Sequence, residues 1–142
     1  MNKRGFTLIE LIVTIAILAI LTTLSIPAFS AISDSMRLQS DARQMAQVMR
    51  NARVESITAG KASNIYFYTY TGQYKDDVNG KMYDLREGIS FVGTTTFSGT
   101  PPRCTFHPSG AASPAGTVTL KNKLGNSVKI VVSPVVGRVR IE

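Results

Sequence analysis

The chain is poor in the residues on which most enzyme chemistry depends. Among 142 residues there is one cysteine, Cys104, one histidine, His107, and no tryptophan. A single cysteine excludes an intramolecular disulfide and leaves too few soft ligands for a structural zinc site, while a single histidine removes most imidazole chemistry. Acidic residues are also few, nine against 16 lysines and arginines. Asp76-Asp77 with Asp84 lack the ligand spacing and glycine of a calcium loop and read as a solvated turn. With no nucleophile or acid/base constellation, the reading is a non-enzyme with no catalytic residues, no cofactor, no metal site and no small-molecule substrate. Cys104 then reads as a small buried hydrophobe, and His107, between Phe106 and Pro108, as a hydrogen-bonded loop residue. There is no internal repeat, and an apolar fraction of 44% with 18% charged residues excludes a wholly disordered chain.

What is abundant is positive charge at one end and aliphatic sequence at the other. Residues 103–142 carry six basic residues against Glu142 alone. Such a surface attracts nucleic acid, anionic lipid or an acidic partner, and net charge does not choose among them. At the other end, Leu11 to Ser33 is uncharged and rich in Ile, Leu and Ala. As a helix, Phe6 to Ile26 spans about 31 Å, the thickness of a hydrocarbon core, and Lys3 and Arg4 before it mark the cytoplasmic side. A secretory signal has a shorter apolar run followed by a small-residue cleavage site, for which Ala28-Phe29-Ser30, with cleavage near Ala31, is the alternative. Glu10 argues against that alternative, because an acid within an apolar run is costly and calls for a partner.

The stretch Lys3-Arg4-Gly5-Phe6-Thr7-Leu8-Ile9-Glu10-Leu11 resembles the class III leader of type IV pilins and type II secretion pseudopilins. The resemblance implies cleavage by a prepilin peptidase after Gly5, methylation of the new N-terminal Phe6, and a pairing of Glu10 with the terminal amine of a neighbouring subunit. Amine and carboxylate in a low dielectric relieve each other's burial cost, so the pair rewards docking in one register. Pro27 stands where the family commonly has a helix-kinking proline, seventeen residues after that Glu.

After the apolar run the periodicity is helical. Leu38, Ala42, Met45, Met49 and Ala52 recur at steps of four and three, so 34–60 is expected to continue as a helix, with Gly60 as its C-cap. Arg43, Gln47, Arg50 and Asn51 fall off that stripe, toward solvent or a neighbouring subunit. Beyond Gly60 the period becomes two. Strands are expected at Ser63–Tyr70, Lys81–Leu85, Ile89–Phe97, Thr117–Leu124, Ser127–Ser133 and Val136–Glu142, with loops at Ser98–Pro102 and Ser109–Gly116. Alternation of Val118, Leu120 and Leu124 against Thr119, Lys121 and Lys123 predicts an antiparallel sheet with one dry face. Tyr66, Tyr68 and Tyr70 alternate along one strand and read as core or edge packing rather than as a base-stacking platform.

The last forty residues are similar to the H-type pseudopilin family, which includes FimT- and FimU-like minor pilins. The spacing Phe106-x-Pro108-x-Gly110, then Gly116-Thr117-Val118-Thr119-Leu120, then a hairpin leading to Gly137-Arg138-Val139-Arg140, carries this similarity. The last of these motifs resembles the Gly-Arg-x-Arg by which FimT-type minor pilins bind DNA. Arg138 and Arg140 lie two apart on an extended segment and so share a face, and Lys121, Lys123 and Lys129 are expected to add phosphate contacts. The other reading of these charges is a strand edge guarded against aggregation. The expected fold is α+β, a pilin fold with a long N-terminal helix packed on a small antiparallel head. It divides into a leader (1–5), a transmembrane and assembly helix (6–33), the second half of that helix (34–60) and a β-rich head (61–142). The function implied is a minor type IV pilin at the inner membrane, head outward, with other pilins, the prepilin peptidase and DNA as partners. The alternative is an H-type pseudopilin of a type II secretion system, acting in protein export.

Overall fold

The computed structural model describes residues 6–93 and 95–142, with the side chains of all of these except residues 24–30. A single helix, α1 (Leu8–Ala59), takes up the first half of the chain. It begins at Thr7, whose Oγ1 accepts the Glu10 N–H at 3.3 Å and whose carbonyl accepts the Leu11 N–H at 3.2 Å. Thr7 and Glu10 have the spacing of a capping box, which satisfies N–H groups that a helix start otherwise leaves bare. The helix ends at Ala59, with Gly60 following in the left-handed conformation expected of a C-cap.

The chain divides after Ser33 into two compact units. In the first, every described side chain from Phe6 to Thr23 is exposed. The threonines in this run return their hydroxyls to the helix: Thr14 Oγ1 donates to the Leu11 carbonyl at 2.8 Å, Thr22 to Ala19 at 2.9 Å and Thr23 to Ile20 at 2.7 Å. The surface offered outward is therefore aliphatic with its hydroxyls already satisfied. Described side chains break off after Thr23 and resume at Ala31, and among the described residues no helical stretch is long and apolar enough to cross a membrane. The span expected from Phe6 to Ile26 runs past that limit.

Among its described residues, the second unit carries the rest of α1 and eight strands in two antiparallel sheets, where the alternation in the sequence predicts one. The first sheet has the order β3 (Met82–Asp84), β2 (Gln73–Asp76), β1 (Ser63–Tyr68), β5 (Arg103–Phe106). The second has the order β4 (Ser90–Phe91), β6 (Gly116–Lys121), β7 (Ser127–Val132), β8 (Val139–Ile141). Their inner faces and the helix stripe share one core: Leu38, Ala42, Met45, Met49 and Ala52 are buried with Ile65, Phe67 and Phe106 of the first sheet and Val118, Leu120, Ile130 and Val132 of the second. Phe67 joins the sheets, stacked on Phe97 at 5.2 Å between ring centroids and edge-on to Phe91 at 6.5 Å.

Several strand boundaries differ from those expected. β2 and β5 were not foreseen; β2 has Tyr74 as its only buried apolar side chain, and β5 is four residues between proline-flanked turns. The expected strand Ile89–Phe97 is regular only at Ser90–Phe91, because the chain bends at Gly93, yet it stays beside β6 through Val92 N–H to Thr119 O and Thr96 N–H to Thr117 O. β6 stops at Lys121, and the turn that follows is built on buried Asn122, whose Oδ1 accepts the N–H groups of Leu124 and Asn126. Leu124 therefore leaves the dry face and is exposed.

Candidate functional site

Of the stem residues singled out in the sequence, Phe6 is 78% exposed at the head of α1 and Glu10 lies exposed in its first turn. A carboxylate there sits at the positive end of the helix dipole. Gly5 lies outside the described residues, as does the side chain of Pro27, and with it the kink expected there.

On the head, the outer face of the second sheet gathers most of the expected basic residues. Val139 points inward while Arg138 and Arg140 are exposed on either side of it, the alternation that an extended strand imposes. Register places Arg140 opposite Val131 on β7, Lys129 opposite Thr119 on β6, and Lys121 between Ser127 and Ser90. Arg140 has a carboxylate partner in Glu142, 3.9 Å away. Lys123 does not join this face: it lies beyond the end of β6, in the turn, and faces Glu87 at 3.5 Å.

A second cluster was not apparent from the sequence. Arg50 and Arg53, on the exposed flank of α1, come together with Arg138 around a cleft of about 600 Å³ that Val54, Val136 and Gly137 complete. Each helix arginine is anchored on the head backbone, Arg50 by an N–H to the Val139 carbonyl at 3.2 Å and Arg53 Nε by one to the Gly110 carbonyl at 3.0 Å. Arg50 is exposed, as the helical stripe implies, but it faces its own head rather than open solvent. The available signal was the i, i+3 spacing of Arg50 and Arg53 beside the buried Met49 and Ala52.

The remaining polar candidates take structural places. Asp41, three residues after Leu38 and four before Met45, is on the buried face; its carboxylate accepts the Arg86 N–H at 2.9 Å and pairs with Arg86 Nε at 3.4 Å. Asp76 is buried rather than solvated, because its carboxylate caps the β2–β3 turn through the Val78 N–H and Asn79 Nδ2. Asp77 and Asp84 remain exposed, with Asn64 and Gln73 as their donors. Cys104 is fully buried, and burial pushes its thiol up to about 12, far from a nucleophilic thiolate. His107 is exposed, but its backbone is tied: the carbonyl accepts Ser56 Oγ–H and the Gly110 N–H. Tyr66 and Tyr68 are half-buried on the outer face of the first sheet, where Tyr66 is flanked by Lys75 and Arg103. Tyr70, past the end of β1, is 99% exposed and packs in neither core nor edge.

Known proteins with these features fall into one group. Residues 1–26 match the prokaryotic N-terminal methylation motif, and residues 41–135, more than half of the chain, match type II transport protein GspH. The prepilin peptidase-dependent protein A of Clostridium perfringens is 31% identical over 97 residues, which cover 62% of this chain and 69% of that protein. The fold is shared with the minor pseudopilin EpsH from the type 2 secretion system of Vibrio cholerae, at 14% identity and TM-score 0.62 over 75% of this chain and 96% of EpsH. It is shared also with the type IV minor pilin FimU of Pseudomonas aeruginosa, at 18% identity and TM-score 0.61 over 78% of this chain and 92% of FimU. The helix on two antiparallel sheets, the methylation motif ahead of it and the match across the head place this chain in the GspH family of pilin-like proteins.

Proposed function

We propose that this chain is a minor subunit of a type IV pilus, assembled through its N-terminal helix. The observation that carries this reading is the stem: from Phe6 to Thr23 every described side chain is exposed, most are aliphatic, and Glu10 is the one ionisable group among them. A contiguous apolar surface of this extent needs lipid or other helices around it. The sequence of events is the one that the leader's resemblance implies. The prepilin peptidase removes residues 1–5 and methylates Phe6, the subunit waits in the inner membrane with its head outward, and Glu10 then docks on the terminal amine of a neighbour. Membership in a family of structural, membrane-anchored subunits supports this, as does the name of the clostridial relative.

The basic outer face of the second sheet favours a pilus that handles DNA, with Arg138, Arg140, Lys121 and Lys129 as phosphate contacts. The alternative, an H-type pseudopilin driving protein export, uses the same stem chemistry, and adjacent pilus or secretion genes distinguish the two. The stem assignment is tested by Glu10→Ala. The variant is expected to insert and be cleaved as well as the wild type, since a charge leaves the apolar run, but to be depleted at least tenfold from sheared filaments. Normal incorporation overturns the assembly role of Glu10.

A further inference from the structure

The cleft between α1 and the β7–β8 loop has an electrostatic imbalance that the head does not resolve. Three guanidiniums, those of Arg50, Arg53 and Arg138, line it, and among the described residues none of them has a carboxylate within 4.0 Å. Like charges gathered without a counter-charge repel one another, and an anion entering the cleft removes that repulsion. Arg50 and Arg53 are held in place by one hydrogen bond each to backbone carbonyls, which leaves the other donors of each fork free and aimed from fixed positions. A pre-oriented guanidinium loses less freedom when it binds, so the arrangement favours a planar, two-oxygen acceptor. The mouth of the cleft is aliphatic: Val54 and Val136, which line it, are 55% and 54% exposed. Arginine is enriched at protein–protein contact centres, and the exposed aliphatic side chains beside it give a protein partner apolar surface to cover.

We propose that this cleft receives a carboxylate side chain, flanked by aliphatic residues, from the head of a different subunit of the same filament. The proposal rests on the filament reading above. A second copy is disfavoured as the occupant by the chain's net positive charge, +7 for the whole sequence and still positive once Lys3 and Arg4 leave with residues 1–5, which makes copies repel. A nucleic-acid phosphate is disfavoured by the rim, since DNA offers little apolar surface for two exposed valines to cover, whereas the outer face of the second sheet is open and polar.

The test uses the full chain in its native membrane, with a photoactivatable phenylalanine analogue at Val136 as one probe and at Ile15, in the stem, as the other. The Val136 probe is expected to give an adduct with another pilin-type subunit, at a peptide containing Asp or Glu beside an aliphatic residue. Val54→Glu, which supplies the cleft with its own carboxylate and disturbs neither backbone anchor, is expected to reduce that adduct about tenfold, as is Arg138→Glu. Arg43→Glu, two turns before Arg50 on α1 and not among the residues lining the cleft, is expected to leave it within twofold of wild type. Replacing the acid of the adduct peptide with lysine restores the adduct in the Arg138→Glu background if the pairing is direct. An Ile15 adduct without a Val136 adduct overturns the cleft proposal and leaves the filament reading standing. Loss of both overturns both. A Val136 adduct to a second copy or to nucleic acid, or one that the two charge changes leave intact, also overturns the proposal.

Discussion

Gly137 has φ +56°, a conformation that L side chains rarely adopt, and a Cβ there would collide with the carbonyl oxygen of Gly110 and press on Arg53 Nε at 3.1 Å. Gly125 also has positive φ, +87°, but nothing lies within 4 Å of its would-be Cβ. Substituting alanine at the two positions separates backbone strain from contact. Gly125→Ala is expected to cost about 1–2 kcal/mol and Gly137→Ala about 2–4 kcal/mol, because the second must also displace the Arg53 anchor. Denaturant unfolding of the full chain in a neutral detergent measures both, and equal costs would show that the Gly110 contact contributes nothing. In the sequence, Gly137 was legible only as the first letter of a basic motif. Its packing role depends on Gly110, twenty-seven residues earlier, and no local pattern connects them. Cys104, read as a small buried hydrophobe, is buried, whereas the roles expected of Gly5, Phe6 and Glu10 rest on the resemblance of the leader.

Among the elements, β8 carries the functional claim most open to measurement. Arg140 lies outward on a four-stranded face with Lys129 and Lys121, and Arg138 is exposed just before the strand, while Val139 is buried and Ile141 half-buried, so the arginines can be removed without removing the strand. A handful of phosphate contacts gives non-specific affinity for duplex DNA of about 100 to 1 μM, falling steeply with salt. Arg138→Ala with Arg140→Ala is expected to weaken binding and to flatten the slope of log K against log salt by roughly two units. Gel-shift titration at two salt concentrations reads the slope, and circular dichroism checks that the double variant is folded. An unchanged slope, or no wild-type binding at low salt, leaves the face as a charged sheet surface only. Elements with strong periodicity were legible: the helix stripe, β6, β7 and the inward Val139 all follow the sequence alternation. β2 and β5 were not, since QYKD has one buried apolar side chain and RCTF is too short to show a period; the core they join is assembled from distant segments. Lys123 was grouped with Lys121 because alternation was extended past the point where Asn122 turns the chain.

For the molecule as a whole, the two units divide the work expected of a filament subunit, an aliphatic stem and a basic, self-contained head. Maturation is expected to produce a chain that begins at Phe6, lighter by the first five residues and heavier by one methyl group. Intact-mass spectrometry of the membrane-extracted protein measures this. A chain beginning near Ala31 would mark the apolar run as an ordinary export signal, and replacing Gly5 with a bulky residue is expected to leave the precursor uncut. The α+β class was legible from the change of period at Gly60, and the pilin-like arrangement from the resemblance of the leader. The pairing of strands into two sheets was not, because alternation says which residues face inward and nothing about which strand lies beside which. The hydrogen bond from Arg50 to the Val139 carbonyl bears on this larger scale. β8 is the border strand of its sheet, and a border with bare carbonyls invites another strand to add on. With the Val139 carbonyl taken by a bulky cation from the helix, that border is a poorer template, and sideways growth of one head on another into cross-β aggregates is disfavoured.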